Sequence, residues 1–148
     1  MPVAADHRTV PGTGELLLRE QLLDHFSNSR AAYVGNAVNA AITMLVCSTV
    51  APLPMLAAFG LVLCLLLLWR HMVGVKFRNL ADNSHLPAIA GQVDAYAAGL
   101  SVYWAVTISM LFALADPGRQ MVLGILAGGM MSGGVASYRT RERAALIY

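Results

Sequence analysis

Asn36 and Asn39 stand three residues apart inside a stretch, Ala31 to Trp69, that holds no Asp, Glu, Lys, Arg or His. That spacing is close to one helical turn, so the two amides share a helix face, and Tyr33 continues it one turn earlier. Side-chain amides in apolar surroundings need hydrogen-bond partners. Two roles meet that need: bonds that tie one helix to another, or a small ligand pocket, in which Trp104 would supply an aromatic wall. Tyr103 and Trp104 lie in the middle of a later apolar run and read as core packing if no ligand is bound.

A second pattern is mechanical. Gly124 with Gly128, and Gly129 with Gly133, form two successive frames of small residues four apart, a spacing that lets another helix approach closely. The partner helix could belong to this chain or to a second copy. Catalytic patterns are missing: there is no phosphate-binding glycine loop, paired carboxylate or nucleophile motif, so no enzyme activity and no cofactor is expected of these residues. His7, His25, His71 and His85 never fall at metal-ligand spacing, and no metal site is expected. Cys47 and Cys64 lie at different depths of two apolar runs and read as small packing residues.

The elements that must position these residues follow from hydrophobicity. Hydrophobic residues make up 57% and charged residues 12% of the chain, and the charges avoid long stretches. Those stretches are apolar all round, whereas a helix at a water-facing surface is apolar only along a stripe. A hydrocarbon core about 30 Å thick takes about 20 helical residues. The expected fold is therefore all-α, an integral membrane bundle of four transmembrane helices in two hairpins. The spans are placed at 31–50, 53–72, 95–115 and 120–138. Pro52 and Pro54 mark the first hairpin turn. Asp116-Pro117-Gly118-Arg119 marks the second, read as a type II turn with Pro and Gly at its centre.

Ahead of the spans, residues 1–14 read as a flexible tail and 15–28 as an amphipathic helix, with the rest of the chain, 29–148, as the transmembrane domain. Leu18, Leu22 and Phe26, with Leu23 beside them, form an apolar stripe opposite Arg19, Gln21 and Asp24. A helix of this kind directly before a span lies along the membrane interface. Of the 10 Lys and Arg residues, only Arg119 falls on the far side of the hairpins. Basic residues mark the cytoplasmic flank, which places both termini and the loop from Val73 to Asp94 in the cytoplasm. The small positive charge thus reports topology and contact with the lipid bilayer, and no nucleic acid is expected.

Three stretches carry a resemblance. Residues 30–40, Arg-Ala-Ala-Tyr-Val-Gly-Asn-Ala-Val-Asn-Ala, the end of the second span at Trp69-Arg70-His71, and residues 126–137 resemble the N-terminal input region of bacterial membrane sensors. The output of those sensors is a GGDEF or EAL cyclic-di-GMP domain or a histidine kinase. The resemblance implies a multi-pass protein of the bacterial inner membrane, a sensory or anchoring module whose cytoplasmic signalling output would lie beyond residue 148. Homodimers or partner membrane helices are the expected assemblies. Two other classes fit the size: a structural subunit of a membrane complex, or a small dimeric four-helix transporter. The transporter reading lacks a titratable group, since small multidrug exporters use a glutamate in the first span, where this chain has Asn36 and Asn39.

Overall fold

The computed structural model describes residues 13–27, 29–80 and 85–130 of the 148-residue chain. They form helices and, among the described residues, no strand: α1 (Thr13–Ser27), α2 (Ser29–Cys47), α3 (Leu53–Arg78), α4 (Leu86–Leu114) and α5, described over 117–130. The described part of the chain is thus all-helical apart from its turns, in line with the all-α expectation. The tail to residue 12, the polar tripeptide 82–84, Gly133 and the basic residues Arg139, Arg141 and Arg143 lie outside the described residues.

Each turn has a local cause. The Cys47 carbonyl accepts the backbone N–H groups of Val50 (3.1 Å) and Ala51 (2.9 Å), closing α2. Pro52 then holds extended backbone at φ −59°, ψ 136°, and its carbonyl receives Met55 and Leu56 as the first bonds of α3. A proline here costs nothing, because the opening turn of a helix has no use for its missing N–H.

At the second hairpin the expectation of a type II turn is corrected. Such a turn needs φ > 0 at Gly118, and no described glycine has it. Asp116 instead caps a helix that starts at Pro117: its Oδ1 accepts the Arg119 N–H at 3.1 Å and its carbonyl accepts the Gln120 N–H at 2.9 Å. The helix therefore begins three residues before the expected span at 120.

The long loop is corrected too. α3 runs on past residue 72 to Arg78, and α4 begins at Leu86 well before residue 95, leaving only a short connection in place of Val73 to Asp94. The added turns carry a single apolar stripe, which a search for segments apolar all round passes over. Val73, Phe77, Leu86, Ile89 and Val93 lie on that stripe, buried beneath Leu22 of α1, with Leu18, Phe26 and Trp69 packed alongside.

Three layers of core stack along the bundle. This first layer forms the base, where α1 docks. Ala40, Leu63, Tyr103 and Trp104 form the middle, and Cys47, Ala51, Leu56, Leu111 and Leu123 form the tip beside the two hairpin turns.

α3 and α4 are long and apolar enough to cross a membrane, at 26 and 29 residues; with a rise of about 1.5 Å per residue they reach about 39 and 43 Å. α2 is diluted by Arg30, Asn36 and Asn39, and α5 is described only to residue 130, so two of the four expected spans meet that measure. Only 17% and 22% of the most apolar stretches of α3 and α4 are buried against the rest of the chain. Leu61, Leu65 and Leu68 of α3 and Val102, Val106 and Met110 of α4 face outward. The helices are thus unlike the core helices of a water-soluble domain, which hide such residues.

Candidate functional site

The polar side chains of the bundle gather at three levels. In the middle layer the Trp104 Nε1–H donates to Asn36 Oδ1 at 2.9 Å, and the Asn36 amide donates to the Ala32 carbonyl at 2.8 Å. Tyr103 is packed edge-on against Trp104, with ring centroids 5.1 Å apart, and its hydroxyl donates to the Phe59 carbonyl at 3.2 Å. These two bonds tie α4 to α2 and to α3. Thr43 returns its hydroxyl to the Asn39 carbonyl four residues back, at 2.7 Å, the way a helix in apolar surroundings satisfies its own polar side chains. Asn39 itself is half-buried, and its amide makes no hydrogen bond to a described residue.

The space beside this group, lined by Thr43, Met44, Phe59, Tyr103, Trp104 and Thr107, is a cavity of about 10 Å³. That volume suits a single water, while small-molecule pockets run to about 300 Å³ and above. The arrangement is built to hold helices together. Replacing Trp104 by Phe should lower stability by about 1 to 3 kcal/mol, because the Asn36 oxygen loses its donor. A double-mutant cycle with Asn36→Ala checks this: the two losses should be clearly non-additive.

Tyr33, assigned by spacing to the same face, belongs to a different level. At the base the Arg70 guanidinium lies between two aromatic rings, 5.7 Å from the centroid of Tyr33 on α2 and 5.4 Å from that of Tyr96 on α4, inside the about 6 Å range over which a ring face attracts a cation. One Arg70 N–H reaches the His25 carbonyl of α1 at 3.5 Å. Arg70 is 8% exposed, and among the described residues its buried Nε has no hydrogen-bond partner and its guanidinium no ion pair. In the sequence Arg70 stands out only as one of the basic residues that mark topology. Its position beside Trp69 and His71 gives no hint that three other helices converge on it.

Arg119 organises the tip. Its Nε donates to the Val46 carbonyl at 2.9 Å, one Nη to Thr49 Oγ1 at 2.8 Å, and the other pairs with the Asp116 carboxylate. The clamp joins the end of α2 to the start of α5. A readable signal for half of it was available, since Asp followed by Pro is a helix-start pattern.

The backbone N–H and guanidinium of Arg119 hold the Asp116 carboxyl below its ordinary value of 3.8. A carboxyl with a lowered folded-state pKa contributes stability above its unfolded pKa and loses it as pH falls through the folded one. The tip should thus keep its strength from neutral pH down to the ordinary carboxylate range and weaken only below it. Unfolding profiles of wild type and Asp116→Asn in acid should converge there, and parallel profiles would show that Asp116 carries none of the dependence.

The glycine frames fall only partly within the described residues, since Gly133 lies outside them. A Cβ built on Gly124, Gly128 or Gly129 would touch nothing within 4 Å. Among the described residues no group of three His, Cys, Asp or Glu side chains gathers, and both His71 and His85 are exposed. Cys47 is sealed in the tip layer, as its reading as a packing residue requires. Cys64 is instead exposed on the outer side of α3, because a position on an outward-facing stripe can be as apolar as a core position. Comparison with protein-family models, curated proteins and solved structures gives no match, so the likeness to sensor input regions rests on the three sequence stretches alone.

Proposed function

We propose that this chain is a membrane-embedded input and anchoring module, crossing a bacterial inner membrane four times, with both ends in the cytoplasm. It would pass a signal, or localisation alone, to a cytoplasmic output. The observation that carries the membrane reading is the outward apolar surface of α3 and α4, whose most apolar stretches are only 17% and 22% buried. Water does not tolerate an apolar belt of that extent, and lipid does. Buried polar side chains bonded within or between helices, as at Thr43 and Asn36, also suit a hydrocarbon setting.

The orientation is supported by Lys76 and Arg78 at the base and by the solitary Arg119 at the tip, which is engaged by its clamp. The signalling reading is supported by α1, which docks on the ends of α3 and α4 at that basic end. A short helix held by a few side chains is the natural element to carry a change to a cytoplasmic neighbour. The open faces of Gly124 and Gly128 support assembly with a second copy or a partner helix.

Topology reporters test the membrane part directly. Periplasm-dependent phosphatase fusions should be active at positions 50 and 118 and silent at 80. Activity at 80, or a protein recovered in the soluble fraction, would overturn it. For the signalling part, residues 13–148 should support the output of a sensor whose own input region they replace. Output that stays constant when α1 is deleted from such a chimera would leave the module as an anchor alone.

A further inference from the structure

We propose that Arg70 is the seat of an anion, a phosphate group, in the space between α1, α3 and α4, and that an anion reaching this seat displaces α1. The starting point is an imbalance of charge. Arg70 is 8% exposed and makes no ion pair with a described residue. A buried guanidinium is ordinarily matched by an anion and by acceptors for most of its N–H groups. Among the described residues one N–H makes a single long bond, 3.5 Å to the His25 carbonyl, and the Nε–H has no acceptor. The rings of Tyr33 and Tyr96 stabilise the cation and fix the plane of its fork, but they accept no proper hydrogen bond. A planar fork with an unused donor is the group that binds phosphate or carboxylate by two parallel bonds.

The space in front of it is lined by His25, Arg70, Gln92 and Tyr96 along with apolar side chains, and it is too narrow to hold a water molecule. A phosphate is far larger than a water molecule, so seating one against the guanidinium requires the walls to part, and α1 supplies two of them, His25 and Phe26. The anion and the His25 carbonyl compete for the same donor, and a charged acceptor is the stronger of the two. Binding and docking are thus opposed, and the anion shifts the population toward α1 undocked.

The position of Arg70 favours a phosphate source. On the membrane reading, the rise from Leu53 to Arg70 is about 26 Å at about 1.5 Å per residue, near the boundary of a hydrocarbon core about 30 Å thick. Lipid phosphates lie at that level, and cytosolic phosphate esters reach it from the aqueous side. The depth argument rests on the membrane reading, while the unmatched guanidinium does not.

The test measures hydrogen exchange of the α1 amides in the purified full chain. It is run in vesicles of phosphatidylcholine alone, with phosphatidylglycerol mixed in, and with inorganic phosphate added to the first. The expected result is α1 exchange about tenfold faster with one of the two additions. A response to phosphatidylglycerol alone assigns the seat to a lipid headgroup, and a response to inorganic phosphate assigns it to a soluble anion. Arg70→Gln should abolish the response, whereas Arg78→Gln, an exposed basic residue at the same end, should retain it. If Arg70→Gln does not fold, Arg70→Lys takes its place, since it keeps the charge and loses the fork. It should raise the anion concentration for half response several-fold. Equal exchange in all three media, or equal loss of response in the Arg78 variant, overturns the proposal. If topology reporters reject the membrane reading, the inorganic phosphate arm in detergent micelles still decides the seat.

Discussion

Leu22→Ala should release α1 from the bundle while leaving α2, α3 and α4 in place. Leu22 is 1% exposed and sits in the base layer against Val73, Phe77, Leu86, Ile89 and Val93. Truncating a fully buried leucine costs about 2 to 5 kcal/mol. Little else resists the loss. The Phe26 ring stacks on Phe77 at 5.1 Å, a contact of about 0.5 to 1.5 kcal/mol beyond its area, and the Arg70 bond to His25 is long. Nor can α1 hold its own shape once free, because helices of about 12 to 15 residues are marginal in water, and α1 has 15.

The expected signature is local. Trypsin cleavage at Arg19 and exchange of the α1 amides should rise by more than tenfold, from about 2 kcal/mol of lost docking, with the thermal transition of the rest shifted much less. Leu17→Ala, an exposed neighbour, should change nothing. Unchanged protection of α1 in the Leu22 variant would mean that its docking does not depend on this layer. Gly74 probes the same contact from the other side: a Cβ there would meet the Phe26 ring at 3.3 Å, and the α1 helix would have to give way to it.

The second large effect belongs to the tip. Arg119→Ala should lower the stability of the bundle in detergent by about 2 kcal/mol, the scale of hydrogen bonds to a charged group. The side chain is 33% exposed, so the pair with Asp116 contributes little by itself. The weight falls on the Val46 carbonyl, one of the groups that the end of α2 leaves without a helical partner, where a cation also meets the negative end of the helix. Arg119→Lys should recover only part of the loss, because an ammonium has one centre and the three partners lie around a fork. Resistance to denaturing detergent identical to wild type would remove the clamp from the list of stabilising features.

These two effects differ in how far the sequence announced them. The stripe of Leu18, Leu22 and Phe26 is plain, since local periodicity records it, but periodicity alone points to lipid as its cover. The cover turned out to be the extra turns of α3 and α4, whose apolar residues are visible only once α1 is there to need them. The helices themselves were legible because a long apolar run has few alternatives. Their ends are less so, as at Asp116, where a helix cap and a turn share the same Asp-Pro-Gly residues.

The polar contacts were the least legible. Asn36 and Trp104 are 68 residues apart, Arg119 and Val46 are 73 apart, and Arg70 and His25 are 45 apart. Pairings at that range are decided by how helices pack, and the residue types alone carry no record of them. Spacing grouped Tyr33 with Asn36 correctly as neighbours along one helix. It could not reveal that the two meet different layers.

The unequal surroundings of the two thiols make the chain its own chemical reporter. Cys47 lies sealed within the tip layer at 0% exposure, and Cys64 opens outward from α3. A thiol reagent that dissolves in lipid should modify Cys64 and spare Cys47, while a permanently charged reagent should reach neither in intact vesicles. Modification of Cys47 then serves as a clock for loosening of the hairpin turns. Its rate in the Arg119 variant measures how often the tip opens without any label having been added to the sequence.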